Sequence, residues 1–588
     1  MCGDAVRHCP QNSLCRLSAC CKVAPIILLS TATWTAGVPA AEPADLVLTD
    51  AKVVTIDDRQ PDAEAIAIKG DRIVAVTTGA GISPWIGPKT RVMALDGRLV
   101  LPGFIEGHGH FLGLGQAKMI LDLTTADSWD EIVQQVAEAS RKAPAGTWIL
   151  GRGWHQSKWS KKPQPSVEGN PTHEALSERT PDHPVLLTHA SGHMCIVNAL
   201  ALRMAGLNGA TPSPPGGEIL RDADGRLTGV LRETATELVE RVVERQQRDR
   251  SPQQKHEDLL ASVRLAAEEC LRHGVTSFQD AGASFALVDS YKALVEQGQL
   301  PVRLWVMLHE DNDSLAGKLE DYFLVGCGNQ HLTVRAIKRL VDGALGSHGA
   351  WMLEPYEDLP TSCGLNTLPL ESLRATAALA IDHGYQLCVH AIGDRANREV
   401  LNVYQQTFEA HPTRRDLRWR VEHAQHLHPA DIPRFAQLGV IASMQAVHAT
   451  SDGPYVVTRL GQRRSQEGAY AWKSLREAGA IISNGTDVPV ERVDPMAGIY
   501  SAVTRKMSNG EPFFPEQCMT RQQALRSYTL DAAYAAFEEN LKGSITVGKL
   551  ADLVVLSDDI LTIPEERIPE TEVVCTIVGG KVVFSLVQ

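Results

Sequence analysis

The chain lacks the cysteine pattern of a metal ribbon or a disulfide scaffold. Of its 12 cysteines, Cys2, Cys9, Cys15, Cys20 and Cys21 crowd the extreme N-terminus, and Cys195, Cys270, Cys327, Cys363, Cys388, Cys518 and Cys575 are scattered with no CxxC pair. That spacing leaves room for one or two bridges and excludes a dense framework. Positive charge is also scarce. Lys and Arg number 57 against 70 Asp and Glu, a formal net charge of -13, which argues against nucleic acid or an anionic membrane surface as the working partner. A small, not strongly anionic substrate fits better, with a homodimer left open. Past the N-terminal region no apolar run approaches the length of a membrane span.

Residues 1 to 41 differ from everything that follows. Arg7, Arg16 and Lys22 precede VAPIILLSTATWTAGV, and VPAAE, with small residues at Val38 and Ala40, ends the segment. This reads as a signal peptide, with the mature chain beginning near Ala41 or Glu42 and residing in the periplasm or outside the cell. No lipobox cysteine follows the apolar run, so a lipid anchor is not expected.

Residues 42–100 are short β-type runs broken by Gly and Asp (LVLTDAKVVTI, AIAIKGDRIVAV, RVMALDGRLV), which predict antiparallel strands. The same texture returns within 536–588. Each piece is too small to stand alone, so the two ends are expected to pair into one β-sandwich. Between them, over 101–535, eight apolar strand candidates alternate with amphipathic helices: LPGFIEGH, GVTSFQDA, VRLWVML, VRAIKRLVDG, YQLCVHAIGD, RWRVEHAQ, GVIASMQAV and AIISNGTDVP. That is the arithmetic of a (β/α)8 TIM-like barrel. An insertion at about 112–255 separates the first two strands and predicts a lobe over the active face.

Catalytic groups of such a barrel sit at the C-terminal strand ends. In FIEGHGHF, His108 and His110 are two residues apart and project to one side of a strand. The fourth strand carries Lys338, the fifth ends in His390, the sixth in His423 and the eighth in Asp487. Imidazoles and a carboxylate suit zinc or another borderline divalent ion, one or two per chain, and an open coordination position lets the ion acidify a water. Asp487 is placed to take that water's proton and return it to a leaving nitrogen.

At this point the sequence resembles a known family. LVLTDAKVVTID, LPGFIEGHGH, ILGRGWHQSKW, GGEILRDADGRLTGVLRE, KRLVDGALGSHGAWM, VHAIGDRAN, VEHAQ, NGTDVPV and GSITVGKLADLVVL, in this order, are similar to the amidohydrolase superfamily, in its amidohydrolase-3 group of formamide-deformylase-like enzymes. The resemblance implies that His108, His110 and Asp487 hold one metal, that His390 and His423 hold a second, and that Lys338 is a carboxylated bridging lysine. It places His193 of SGH near the substrate. Two positions depart from the pattern: Glu106 stands where many relatives have Asp, and His155 stands in GWHQ where many have GWDQ.

Other polar residues have simpler expectations. His348 and His448 line the pocket, with His448 and Gln445 as a substrate-binding pair; His155 is a substrate contact or a surface histidine. Asp342 orients metal-bound groups, Asp394 and Arg395 form a structural ion pair, and Trp154 and Trp159 pack. The expected activity is hydrolysis of a C–N bond in a small amide, N-acyl or N-formyl compound. A cyclic amide, amidine or ester hydrolase on the same machinery is the alternative, as is a metal-binding regulatory protein without turnover.

Overall fold

The computed structural model describes residues 42–248 and 250–586, so the expected signal peptide lies outside the described residues. Eight strands, Phe104–Gly109, Val275–Ala283, Arg303–Leu308, Leu332–Leu340, Gln386–Ala391, Arg420–His423, Ile441–Met444 and Ile482–Asn484, lie side by side in chain order. Every neighbouring pair is parallel. These strands read as continuous apolar runs because helices cover their outer faces and side chains fill their inner ones. All six residues of the first strand are buried.

The seam between the eighth and first strands closes through loop backbone and one carboxylate. The Asp487 N–H donates to the His108 carbonyl at 2.8 Å and the His110 N–H to the Val488 carbonyl at 2.7 Å. Glu106 accepts the Thr486 backbone N–H at 2.6 Å and its hydroxyl at 2.9 Å. Burial raises the Glu106 carboxyl to about 8, against these bonds. Gly107 makes the close approach possible, since a Cβ there would stand 2.3 Å from the Asn484 carbonyl oxygen. The residue that departs from the family pattern is thus a bolt across the seam.

The chain ends meet as expected. One sheet runs Arg72–Thr77, Ala65–Lys69, Leu46–Thr49, Arg91–Ala94; the other joins Lys581–Ser585, Val573–Val578 and Leu553–Leu556 to Leu99–Pro102, Lys52–Val54 and Asp62–Ala63. Leu48, Ile66, Val100, Val555 and Ile577 share one core. The strands are not all antiparallel, however. Leu46–Thr49 pairs parallel with Arg91–Ala94, and Lys52–Val54 parallel with Leu99–Pro102. Leu46–Thr49 and the next strand, Lys52–Val54, lie in different sheets, as do Arg91–Ala94 and Leu99–Pro102, so these parallel neighbours are reached by crossovers rather than by hairpins. All seven described cysteines are free.

The insertion carries a six-stranded sheet between Leu121 and Glu233. Trp154 stacks on Trp159 with ring centroids 6.0 Å apart, and both belong to the core of this lobe. Arg152 fastens the lobe to the barrel by donating to the carbonyl of Pro489, after the eighth strand, at 3.0 Å.

Arg303, at the start of the third barrel strand, and Asp552, just before Leu553–Leu556, form a buried pair at 2.7 and 2.9 Å. Burial opposes ionisation of Asp552, but Arg303 and the Gly579 N–H hold its carboxyl below the usual range. Its contribution to stability is therefore complete above the unfolded carboxylate pKa and is lost as pH falls through the depressed folded value. Asp552→Asn is expected to lower stability by about 3–5 kcal/mol, because it leaves the guanidinium uncompensated. Denaturant unfolding at neutral and acid pH checks this, and the deficit should shrink towards acid.

Candidate metal centre

The strand ends bring together side chains that are hundreds of residues apart. Among the described residues, His108, His110 and Asp487 form a group whose ligand atoms all lie within 4.8 Å of one another. His110 Nε2 is 3.3 Å from Asp487 Oδ1, and His108 Nε2 is 3.6 Å from it. The rings of His390 and His423 adjoin, 4.6 Å apart, and His423 stands 4.7 Å from His108. Lys338 is buried with Nζ 3.3 Å from His108 Nε2. All six expected ligand residues thus converge on one place.

Protonation states are prepared by what lies behind the ring. Glu422 accepts from His108 Nδ1, which leaves the Nε2 lone pair facing Asp487. Arg420 in turn grips Glu422 at 2.6 and 2.9 Å. Burial, reinforced by the nearby Lys338, lowers His108 to about 4, so the ring is neutral at physiological pH, as a ligand must be. Burial also lowers His390, His423 and Lys338. Gln445 Oε1 lies 2.7 Å from His423 Nδ1 and orients that ring. Gln445, expected against substrate, thus has its side-chain oxygen behind the His423 ring.

Two buried atoms, Asp487 Oδ1 and His390 Nε2, have no hydrogen-bond partner. A desolvated carboxylate oxygen without a partner is expensive, and a cation among three lone pairs answers that cost. The donor set of imidazole and carboxylate, with no thiolate, suits a catalytic divalent ion. The residues fit the ion.

Asp342 accepts three backbone N–H groups, from Trp351, Ile392 and Gly393, at 2.8 to 3.0 Å, and lies 3.4 Å from His390 Nε2. Burial lifts its carboxyl to about 7. It fixes the loops around His390. Asp394 and Arg395 do different work from the ion pair expected of them: Asp394 accepts the Leu353 N–H at 2.8 Å, while the Arg395 guanidinium sits 4.7 Å over the Trp351 ring. His348 turns from the pocket to Asp358 at 3.2 Å, because its backbone is left-handed, φ 59°.

The centre lies on the floor of a cavity of about 740 Å³ between barrel and lobe. His193 lines it, with Nδ1 2.7 Å from Glu233, and Ser347 donates to the other oxygen of that carboxylate at 3.1 Å. His309, just past the third strand, also lines it. Glu233, Glu422, Arg152 and His309 were not singled out from the sequence. Arg420 and Glu422, two apart on one face of a fully buried strand, carried the only local sign.

The Amidohydrolase family matches residues 91–584 of the chain. Protein LONG AFTER FAR-RED 3 of Arabidopsis thaliana is 32% identical over 93% of this chain and 92% of its own. N-substituted formamide deformylase of Arthrobacter pascens is 28% identical over 91% and 97% respectively. Among solved structures, an uncharacterized metal-dependent hydrolase from Pyrococcus furiosus superposes with a TM-score of 0.67 at 25% identity, covering 88% of this chain and all of that one.

Proposed function

We propose that this chain, which belongs to the amidohydrolase family of metal-dependent hydrolases, adds water across the C–N bond of a small amide, N-acyl or N-formyl compound. The observation that carries the reading is the unpartnered, buried Asp487 Oδ1 beside His108 and His110, on the floor of a roomy cavity. When bound, a divalent ion, for which zinc suits the donors, supplies Lewis-acid polarisation and makes water acidic near neutral pH. The chain's own residues do the rest. Asp487 takes the proton of the attacking water, whose oxygen joins the carbonyl carbon. As the C–N bond breaks, the same carboxylate returns the proton to the departing nitrogen, giving a carboxylic acid and an amine, which by a further proton transfer become a carboxylate and an ammonium.

Lys338 belongs to this proposal as a carboxylated ligand of a two-ion centre. Burial lowers its amine pKa and so favours the neutral form, the one that reacts with carbon dioxide. Export through residues 1 to 41 is part of the same reading.

Purified protein should contain one or two divalent ions per chain by elemental analysis. It should hydrolyse members of an N-formyl and N-acetyl amide panel faster than cyclic amides or esters. Metal without turnover on the whole panel would favour a regulatory protein instead, and faster ester or ring cleavage would move the substrate class.

A further inference from the structure

A second, much smaller space opens off the same centre. It measures about 50 Å³ against about 740 Å³ for the main cavity, and both are walled by His193, His390, His423 and Asp487. One water needs roughly 10–15 Å³ of such space, so the recess admits only about three or four heavy atoms. The main cavity admits a large group.

The recess also has its own chemistry. His448 lines it, and Nδ1 of that ring accepts from Gln425 at 2.9 Å, which leaves the proton on Nε2. That Nε2 is buried without a partner. From the lobe, His155 Nδ1 accepts the Ser157 N–H at 3.3 Å, so its Nε2 likewise carries a hydrogen. The Asp452 carboxylate in the same wall is already occupied by the hydroxyls of Tyr455 and Tyr470, at 2.5 and 2.6 Å, and Glu491 is 3.7 Å from Lys158. Apart from the shared Asp487, the recess therefore offers N–H donors and engaged carboxylates. The main cavity differs: Glu240 lines it, with Glu237 beside it paired to Arg241 at 2.5 Å, while Arg152 and Arg339 spend their N–H groups on protein oxygens.

A linear amide bound at the centre must send its two ends into these two spaces. Hydrolysis makes one end an anion and the other a cation. N–H donors favour the acyl oxygens and disfavour an ammonium, whereas glutamates favour the amine. We propose that the recess is the acyl pocket, and that it restricts the enzyme to one- and two-carbon acyl groups carried on much larger amines. The proposal rests on the C–N hydrolase reading above. Gly346 sets the limit: a Cβ there would stand 3.3 Å from Tyr455 Oη and 3.8 Å from His155 Nε2, within the recess.

The test uses metal-loaded enzyme and the N-formyl, N-acetyl, N-butyryl and N-hexanoyl derivatives of one bulky aromatic amine. Between acetyl and butyryl, kcat/KM is expected to fall by about 100-fold, the scale of overpacking a closed site. Gly346→Ala should lower the ratio of acetamide to formamide kcat/KM by about tenfold, with metal content and thermal midpoint unchanged. Saturation-transfer NMR reads the recess without turnover, and formate and acetate should bind where butyrate does not. Hexanoyl or butyryl cleaved as fast as acetyl, with Gly346→Ala altering neither ratio, overturns the acyl pocket and leaves the hydrolase reading standing. No turnover on any amide overturns that reading, and the acyl role with it.

Discussion

His110→Ala should lose its ion and about three orders of magnitude or more in kcat/KM, because a bound ion supplies several kcal/mol and each 1.36 kcal/mol is tenfold. His108→Ala should do the same. The two differ in what else they disturb. His108 is fully buried and bonded to Glu422, so its removal also strands a gripped carboxylate. The His110 side chain is 42% exposed and reaches the centre only through Nε2 near Asp487, so its removal isolates the loss of a ligand. Elemental analysis and kinetics on both variants decide the matter. Full activity with full metal content in His110→Ala would remove that residue from the centre.

Asp487→Asn should retain most of the metal and lose roughly 10²-fold or more in turnover, since the amide keeps an oxygen ligand and cannot accept the water's proton. The backbone permits this substitution. Asp487 is left-handed, with φ 56°, a conformation that Asn adopts as readily as Asp. Burial by itself would raise this carboxyl, but His110, whose Nε2 stands 3.3 Å away, and the neighbouring His423 and His108 hold it well below the usual range. It is therefore ionised and ready to accept a proton at neutral pH. The acid limb of the pH profile should report the carboxylate and water as a coupled pair and should disappear or move in the variant. Near-normal turnover with an unchanged acid limb would place the base elsewhere, and His193 and His448 would be the next residues to replace.

Much of this centre was legible before any fold was known. His108, His110, His390, His423 and Asp487 are each marked by a local sign, a polar residue closing an apolar run, Lys338 is a lone lysine within one, and eight runs in order made a barrel whose strand ends must meet. Periodicity reports which residues are buried and on what kind of element. It does not report partners. Glu422 and His108 are 314 positions apart, and Arg152 and Pro489 are 337 apart. Gln445 shows the same limit: its place after the seventh strand is clear from the sequence, but its contact with the back of His423 is not.

The amino-acid sequence by itself determined the strand count, the two chain ends that share a sandwich, and the polar side chains that stand at the barrel's strand ends, because apolar runs, turns and donor chemistry are local properties. Tertiary structure alone decided which strands of the sandwich run parallel, that Glu106 bolts the barrel seam, and that two spaces of very different size meet at Asp487. Those features depend on how closely backbones approach across a closed barrel and on which loops the lobe covers, distances that exist only once residues far apart in the chain are held side by side.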